Sequence, residues 1–409
     1  RSGRKLNAGA RVYANWMGKS FMLFVLGEKP LEEGMNILGA HIDSPRIDVK
    51  QNPLYEDTDL AYLDTHYYGG IKKYQWVAIP LALHGVIVRK TGEKVIINIG
   101  EDENDPVFCI SDLLVHLAQE QMTKNAKEVV EGEALNLIVG GRPLEGEEKD
   151  AVKANVLKLL ADKYGVEEED FLSAELEIVP AGKARDMGFD RSMILAYGHD
   201  DRVCAYTSLV AMLESDGARQ RTSCCLLVDK EEIGSVGATG MASHYLENTV
   251  AELYACTADY CELAVRRCLR NSRMLSSDVS AGYDPNFASA FEKKNSAFLG
   301  RGICFNKFTG SRGKSGSNDA NPEFMASLRK IMDEAGVAFQ TAELGRVDLG
   351  GGGTIAYLCA KYGMNVIDSG IPVLSMHAPY ELTSKADAYE TFRAYRAFFE
   401  SGRSIGIYL

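Results

Sequence analysis

The 409-residue chain has no apolar run approaching about 18 residues, so it offers no helix that could span a membrane. It has no excess of positive charge. Lys and Arg number 45 against 57 Asp and Glu, a formal net charge of −12, which argues against a non-specific nucleic-acid binder. Its nine cysteines, an odd number, form no C-x-x-C pair, and Cys224 adjoins Cys225 inside an apolar run. That usage excludes a disulfide framework and fits free thiols in a reducing cytoplasm. There is no internal repeat and no long low-complexity linker. No secretory leader is recognisable, and the chain opens at Arg1 rather than methionine, as it would if the natural start were missing. Only two tryptophans occur, Trp16 and Trp76, and both read as packing residues.

What is present is globular: 46% hydrophobic and 25% charged residues. The length suits two or three domains, or one large α/β unit with an insertion. Apolar strand patterns run through "MNILGAHID", "SMILAYG", "SCCLLVDKEE", "RMLSSDVS" and "NVIDSGIPVLSMH". Helical spacing runs through "DDRVCAYTSLVAMLES", "NPEFMASLRKIMDEAG" and "SKADAYETFRAYRAFFES", the last with Ser384 as N-cap. Helical spacing is also expected in Ile110–Met122, in "EEKDAVKANVLKLLADKYG" up to Gly165, in Gly237–Leu246 and in Val250–Cys268. Strands alternating with helices define an α/β layered fold. Residues 52–190 are aromatic and irregular, with short β-like runs, and read as a smaller β-rich insertion. The main domain is then expected from residues 1–51 and 191–409.

In α/β proteins, sites form outside the carboxyl ends of strands. Here those ends carry His41, Asp43, Asp200, Glu231, Glu232, Asp278 and His377. This oxygen and nitrogen set, free of thiolates, suits Zn²⁺, Co²⁺ or Mn²⁺. Two histidines and three carboxylates can serve two metals if one carboxylate bridges, and one further carboxylate must stay free to take a water's proton. The adjacent pair Glu231–Glu232 could not share a site in a regular strand, because neighbours face opposite ways. A turn permitted by Gly234 and Gly237 would let one bind metal while the other faces the water. Each motif alone is weak: an isolated H-x-D is common, and an EE pair usually ends a strand in solvent. Their joint occurrence after apolar strands carries the reading. "GSRGKSGS" has Phe308 where a phosphate-binding loop needs glycine, so it reads as a basic loop. Lys314 within it, and Gly352 and Gly353 of "LGGGGTIA", are candidate substrate contacts.

Together "AHIDSPR", "THYYGGIKKYQW", "DDR", "DKEEIGS", "SSDVSAGYDPNF", "GGGGTIA" and "PVLSMHAPYE" resemble the aspartyl aminopeptidase family of two-metal aminopeptidases, in its bacterial branch. The resemblance implies a three-layer α/β sandwich of the zinc-peptidase type, interrupted by a smaller β-rich domain with an oligomerisation or regulatory role. It implies two divalent ions per subunit, zinc with cobalt or manganese as alternatives. His41 and Asp278 would hold one ion, Glu232 and His377 the other, and Asp200 would bridge them. Glu231 would be the general base and Asp43 would orient a histidine. The substrates implied are peptides with a free N-terminus, and the assembly a homo-oligomer, commonly a dodecamer. Relatives from eukaryotes carry histidines after the position of Asp278 and often Asn at that of Asp201. This chain has neither, so the family's acidic-residue preference is not carried over. The alternatives are a related dinuclear hydrolase, such as a carboxypeptidase or N-deacylase, and a non-catalytic assembly or cargo protein on a peptidase fold. The latter would be marked by loss of a ligand or base, and none is lost.

Overall fold

A computed structural model describes residues 5–214, 219–312 and 315–402, so Lys314 lies outside the described residues. The chain has a mixed α/β fold with three sheets and divides into two compact units. The first comprises Arg1–Ser44, Asp186–Met376 and Glu381–Leu409, and the second Pro45–Arg185 and His377–Tyr380. These bounds differ from the expected 52–190. The strand Arg46–Asp57 is paired from its first residues, Arg46 with Tyr68 and Ile47 with Tyr67, so it leaves the first unit earlier. At the other end, Arg185–Met187 joins the sheet that holds Met193–Ala196.

The first unit is built on an eight-stranded sheet. At its centre, Asn36–His41 is flanked in parallel by Ser223–Val228 and Arg273–Ser277, and Asn365–Gly370 pairs in parallel with the latter. The first three strands are buried at every residue, as parallel strands covered on both faces must be. Alternation then divides the core. Cys224, Leu226 and Val228 join a cluster with the helices Tyr245–Ala255, Glu262–Asn271 and Ala356–Ala360. Cys225 and Leu227 join another with His199–Glu214, Pro322–Ala335 and Lys385–Glu400. In-register pairing aligns the strand ends at His41, Val228, Ser277 and Gly370.

Most expected helices form where the end signals are strong. Pro322 opens one helix and Gly336, at φ 60°, closes it. Gly165, at φ 61°, stops Ala151–Tyr164. Ser384 is the N-cap of the closing helix, though its side chain makes no capping bond. Ile110–Met122 is not a helix; it holds only single 3₁₀ turns at Val115–Leu117 and Gln121–Thr123. Ile110 and Ala118 are buried, but Leu113, Leu114, Val115 and Leu117 stay exposed, Val115 at 77%, and a short helix with so little packing surface is marginal. Val250–Cys268 is broken by a turn before Glu262, where the Thr257 hydroxyl donates to the Tyr254 carbonyl. Gly237–Leu246 is helical only from Tyr245.

The second unit carries a six-stranded antiparallel sheet, with Arg46–Asp57 between Leu60–Tyr68 and Ala174–Pro180. Arg46 is buried there between Asp48 and Glu177, its guanidinium 3.8 Å from the Tyr68 ring centre. Among the described residues, no helix is long and apolar enough to cross a membrane.

Gly370 fixes how closely two central strands approach, because a Cβ there would collide with the Asp278 backbone carbonyl. Gly370→Ala is expected to destabilise the protein by about 1–3 kcal/mol, as overpacking does. Thermal denaturation checks this, and an unchanged midpoint would contradict it.

Candidate metal centre

The neighbouring strands Asn36–His41 and Ser223–Val228 end side by side, with Val228 opposite His41. Two residues beyond His41 stands Asp43, and three beyond Val228 stands Glu231. The glutamates do not continue the strand. Lys230 turns left-handed at φ 67°, Glu231–Ile233 form one 3₁₀ turn, and Gly234 at φ 89° ends it. The turn is held by Asp43, whose Oδ1 accepts the Glu231 N–H at 3.1 Å and whose Oδ2 accepts the Glu232 N–H at 3.2 Å. His41, Glu231 and Glu232 consequently offer ligand atoms within 4.8 Å of one another.

The His41 ring is oriented from the same side. Its Nδ1 lies 2.9 Å from the Asp43 carbonyl and 3.4 Å from Asp43 Oδ1. Nε2 is thereby turned toward Asp200 Oδ1 at 3.1 Å and Asp278 Oδ1 at 3.9 Å. Asp278 follows the strand Arg273–Ser277, its N–H donating to the Ser369 carbonyl.

Asp200 and Asp201 enter at the start of the helix His199–Glu214. The peptide of Asp200 is gripped on both sides. Its N–H donates to buried Glu381 Oε2 at 2.9 Å, and its carbonyl accepts from Ser44 Oγ at 2.6 Å. Sequence reasoning missed Ser44 and Glu381, although both lie inside quoted motifs, "AHIDSPR" and "APYE". It noted Asp201 only as a departure. Yet Asp201 is fully buried, its Oδ2 accepts the His41 N–H at 3.3 Å, and it groups with His41 and Asp278 as a candidate ligand set.

His377 is carried by the second unit, where its Nδ1 lies 2.9 Å from the Gly70 carbonyl of "YYGG". It holds φ at 65°, a strained value for a non-glycine residue of the kind found at functional positions. His199 is turned to the Ile194 carbonyl, and burial lowers its pKa.

Electrostatics favours a cation in the first unit. Burial pushes Asp278 well above the ordinary carboxylate range, with further push from Asp201, Asp200 and Glu231. Burial likewise raises Asp201. Burial opposes the His41 imidazolium, but the Asp200 and Asp43 carboxylates outweigh it and hold the ring well above its usual value. Beyond the His41 amide, Asp201 is offered the Cys204 thiol, a weak donor. Clustered acids of this kind are relieved by a bound metal, and these oxygen and imidazole donors fit zinc.

A buried imidazole and carboxylate cluster at the strand ends of an α/β sheet defines a metallohydrolase. The comparisons specify which. Residues 2–399 match the family described as aminopeptidase I zinc metalloprotease (M18). The probable M18 family aminopeptidase 1 of Clostridium acetobutylicum is 62% identical over 400 residues, covering 98% of this chain and 86% of that protein. The crystal structure of aminopeptidase I from that organism superposes with a TM-score of 0.91 at 61% identity, covering 97% of this chain and 86% of the other. The M18 enzyme of Thermotoga maritima gives 0.92 at 45% identity, covering 98% and 87%. The mApe1 dodecamer of S. cerevisiae, at 21% identity and 0.75 over 97% and 86%, shares the fold. The chain belongs to the M18 family of zinc aminopeptidases, hydrolases of the exopeptidase class.

Asp43→Ala should release both glutamate amides and remove the carboxylate beside the His41 ring, while the backbone carbonyl that faces Nδ1 remains. The expected result is a loss of about 10–100-fold in zinc affinity and about 1–3 kcal/mol in stability. Zinc titration and thermal melts check both, and native affinity would overturn the clamp.

A pH dependence follows with a definite sign. His41, raised in the folded state, stabilises below about pH 6.5 and loses that contribution as pH rises through its folded value. Asp201 and Asp278 are also raised, so above about pH 4 the native metal-free state holds more protons than the unfolded state, and stability falls as pH rises. Zinc needs the deprotonated ligands. The gain in melting temperature on adding zinc to chelator-treated protein should therefore grow from pH 5.5 to 8, and a flat or shrinking gain would count against this cluster as the site.

Proposed function

We propose that this aminopeptidase works with two metal ions per subunit and with Glu231 as general base. The convergence of His41, Glu231 and Glu232 on one turn carries the reading. His41 and Asp278 would hold one ion, Glu232 and His377 the other, and Asp200 would serve both. Asp201 stands beside the first set. Bound there, the ions supply Lewis acidity toward the scissile carbonyl and acidify water. A Glu231 carboxylate oxygen takes the proton of the attacking water and returns it to the leaving amine nitrogen. Asp43 keeps the glutamate turn in place, and Glu381 and Ser44 keep Asp200 in place. Gly352 and Gly353 contribute to the substrate side, as does Lys314. The substrates are peptides with a free N-terminal amine.

The architecture in this reading is a three-layer sandwich of the zinc-peptidase type, with the second unit as an inserted oligomerisation or regulatory domain. The assembly is a homo-oligomer, a dodecamer as in the yeast relative, and the compartment is the cytoplasm, in keeping with nine free cysteines.

Glu231→Gln is expected to lower kcat by about 10²–10⁴-fold while zinc content stays at the wild-type value. Steady-state kinetics with free-amine peptides and elemental analysis check it. Wild-type turnover would end the assignment of the base. Equal cleavage of N-blocked peptides by the native enzyme would favour the deacylase or carboxypeptidase reading.

A further inference from the structure

We propose that Asp368 is a positioning residue for substrate binding, its carboxylate pinning two glycine-rich loops beside the sheet face that carries His41. Asp368 lies inside the strand Asn365–Gly370, is 3% exposed, and pairs in register with Ser276, which pairs in turn with Gly39, two residues before His41. Side chains two apart on a strand share a face and stand about 7 Å apart. A carboxylate buried in a central strand is costly unless it is hydrogen-bonded. Here Ser276 and Asn318 stand among its partners, and two hydroxyls reach it from outside the sheet. Thr309 Oγ1 donates to Oδ2 at 2.9 Å, and Thr354 Oγ1 donates to Oδ1.

Those two threonines belong to different loops. Thr309 begins the segment that contains Gly310 and Gly316, and Thr354 ends the segment Gly350–Gly353. The loops are locked to each other by their backbones. The Gly310 N–H donates to the Gly352 carbonyl at 2.8 Å, and a Cβ on Gly351 would collide with the Gly310 carbonyl. Directly after Thr354, Ile355 packs over Gly39, which shares its strand face with His41. Asp368 therefore fixes where both loops stand relative to the metal ligands of the first unit.

Gly352 itself is not explained by folding. Its φ is ordinary for any residue, and a Cβ there would meet nothing within 4 Å. Bare backbone facing open space lets another main chain approach closely. The first residues of an extended peptide have the chemistry to use it, through their own N–H and C=O groups.

This inference rests on the aminopeptidase activity, and the test separates the two. Zinc-loaded full-length wild type, Thr309→Val, Thr354→Val, Thr354→Ser and Asp368→Asn are assayed with one free-amine peptide, alongside zinc content and thermal melts. Thr354→Val, Thr309→Val and Asp368→Asn should each raise KM about tenfold, with kcat and zinc content within about twofold of wild type. Thr354→Ser, which keeps the hydroxyl, should restore KM. Native KM in both valine variants, even with a lowered melting point, overturns the proposal. So does a joint loss of kcat and zinc, or a serine variant that behaves like valine. An inert wild type would instead overturn the activity on which it rests.

Discussion

One carboxylate, Asp43, sets the geometry on which the centre depends. Adjacent residues of a strand face opposite ways, so Glu231 and Glu232 can converge only off the strand. The turn that brings them together leaves two successive amides pointing inward, and Asp43 accepts both. It does so because parallel pairing brings the ends of Asn36–His41 and Ser223–Val228 level. A residue two beyond one strand then meets residues three and four beyond the other. The same Asp43 segment faces His41 Nδ1, so histidine and glutamates are located from one point. Shifting the register by one residue would separate all of them.

The strand ends were legible in the sequence because apolar runs stop abruptly at polar residues there. His41, Asp43, Asp200, Glu231, Glu232 and Asp278 could all be named from that pattern and from the resemblance. What could not be read were contacts made at long range by residues without a local signature. Ser44 and Glu381 act on the Asp200 peptide across 156 and 181 residues of chain, and nothing in "DSP" or "PYE" indicates it. The helix expected at Ile110–Met122 failed for the opposite reason. Its local pattern was sound, but beyond Ile110 and Ala118 its apolar residues stay exposed. The early unit boundary at Pro45 was likewise set by pairing of Arg46 and Ile47, a tertiary fact.

Burial alone does not mark a functional acid in this protein; the partners do. Asp43 is buried with both oxygens accepting backbone amides. Asp387 is buried and accepts from the Gly300 and Gly302 amides at 2.7 Å each. Asp368 accepts two hydroxyls. In each of these the chain itself supplies donors for the negative charge. Asp201 differs: it accepts the His41 amide and the thiol of Cys204, a weak donor, and faces the Asp200 and Asp278 carboxylates.

That difference has an energetic consequence. Donors around a carboxylate offset part of the cost of burial, which still holds Asp368 above its ordinary value, and make it a structural anchor, as Asp43 and Asp368 are for a turn and for two loops. Weakly supported carboxylates placed beside one another carry an electrostatic cost that a divalent cation relieves on binding. Anchors and ligands therefore have to be different residues. Asp43 holds the turn, so Glu231 and Glu232 are free to face the centre. Glu381 and Ser44 hold the Asp200 backbone, so its side chain is not needed for that purpose. Separating the two tasks means that the backbone of the cluster is held by Asp43, Ser44 and Glu381, through hydrogen bonds that do not use the side chains of Glu231, Glu232 or Asp200.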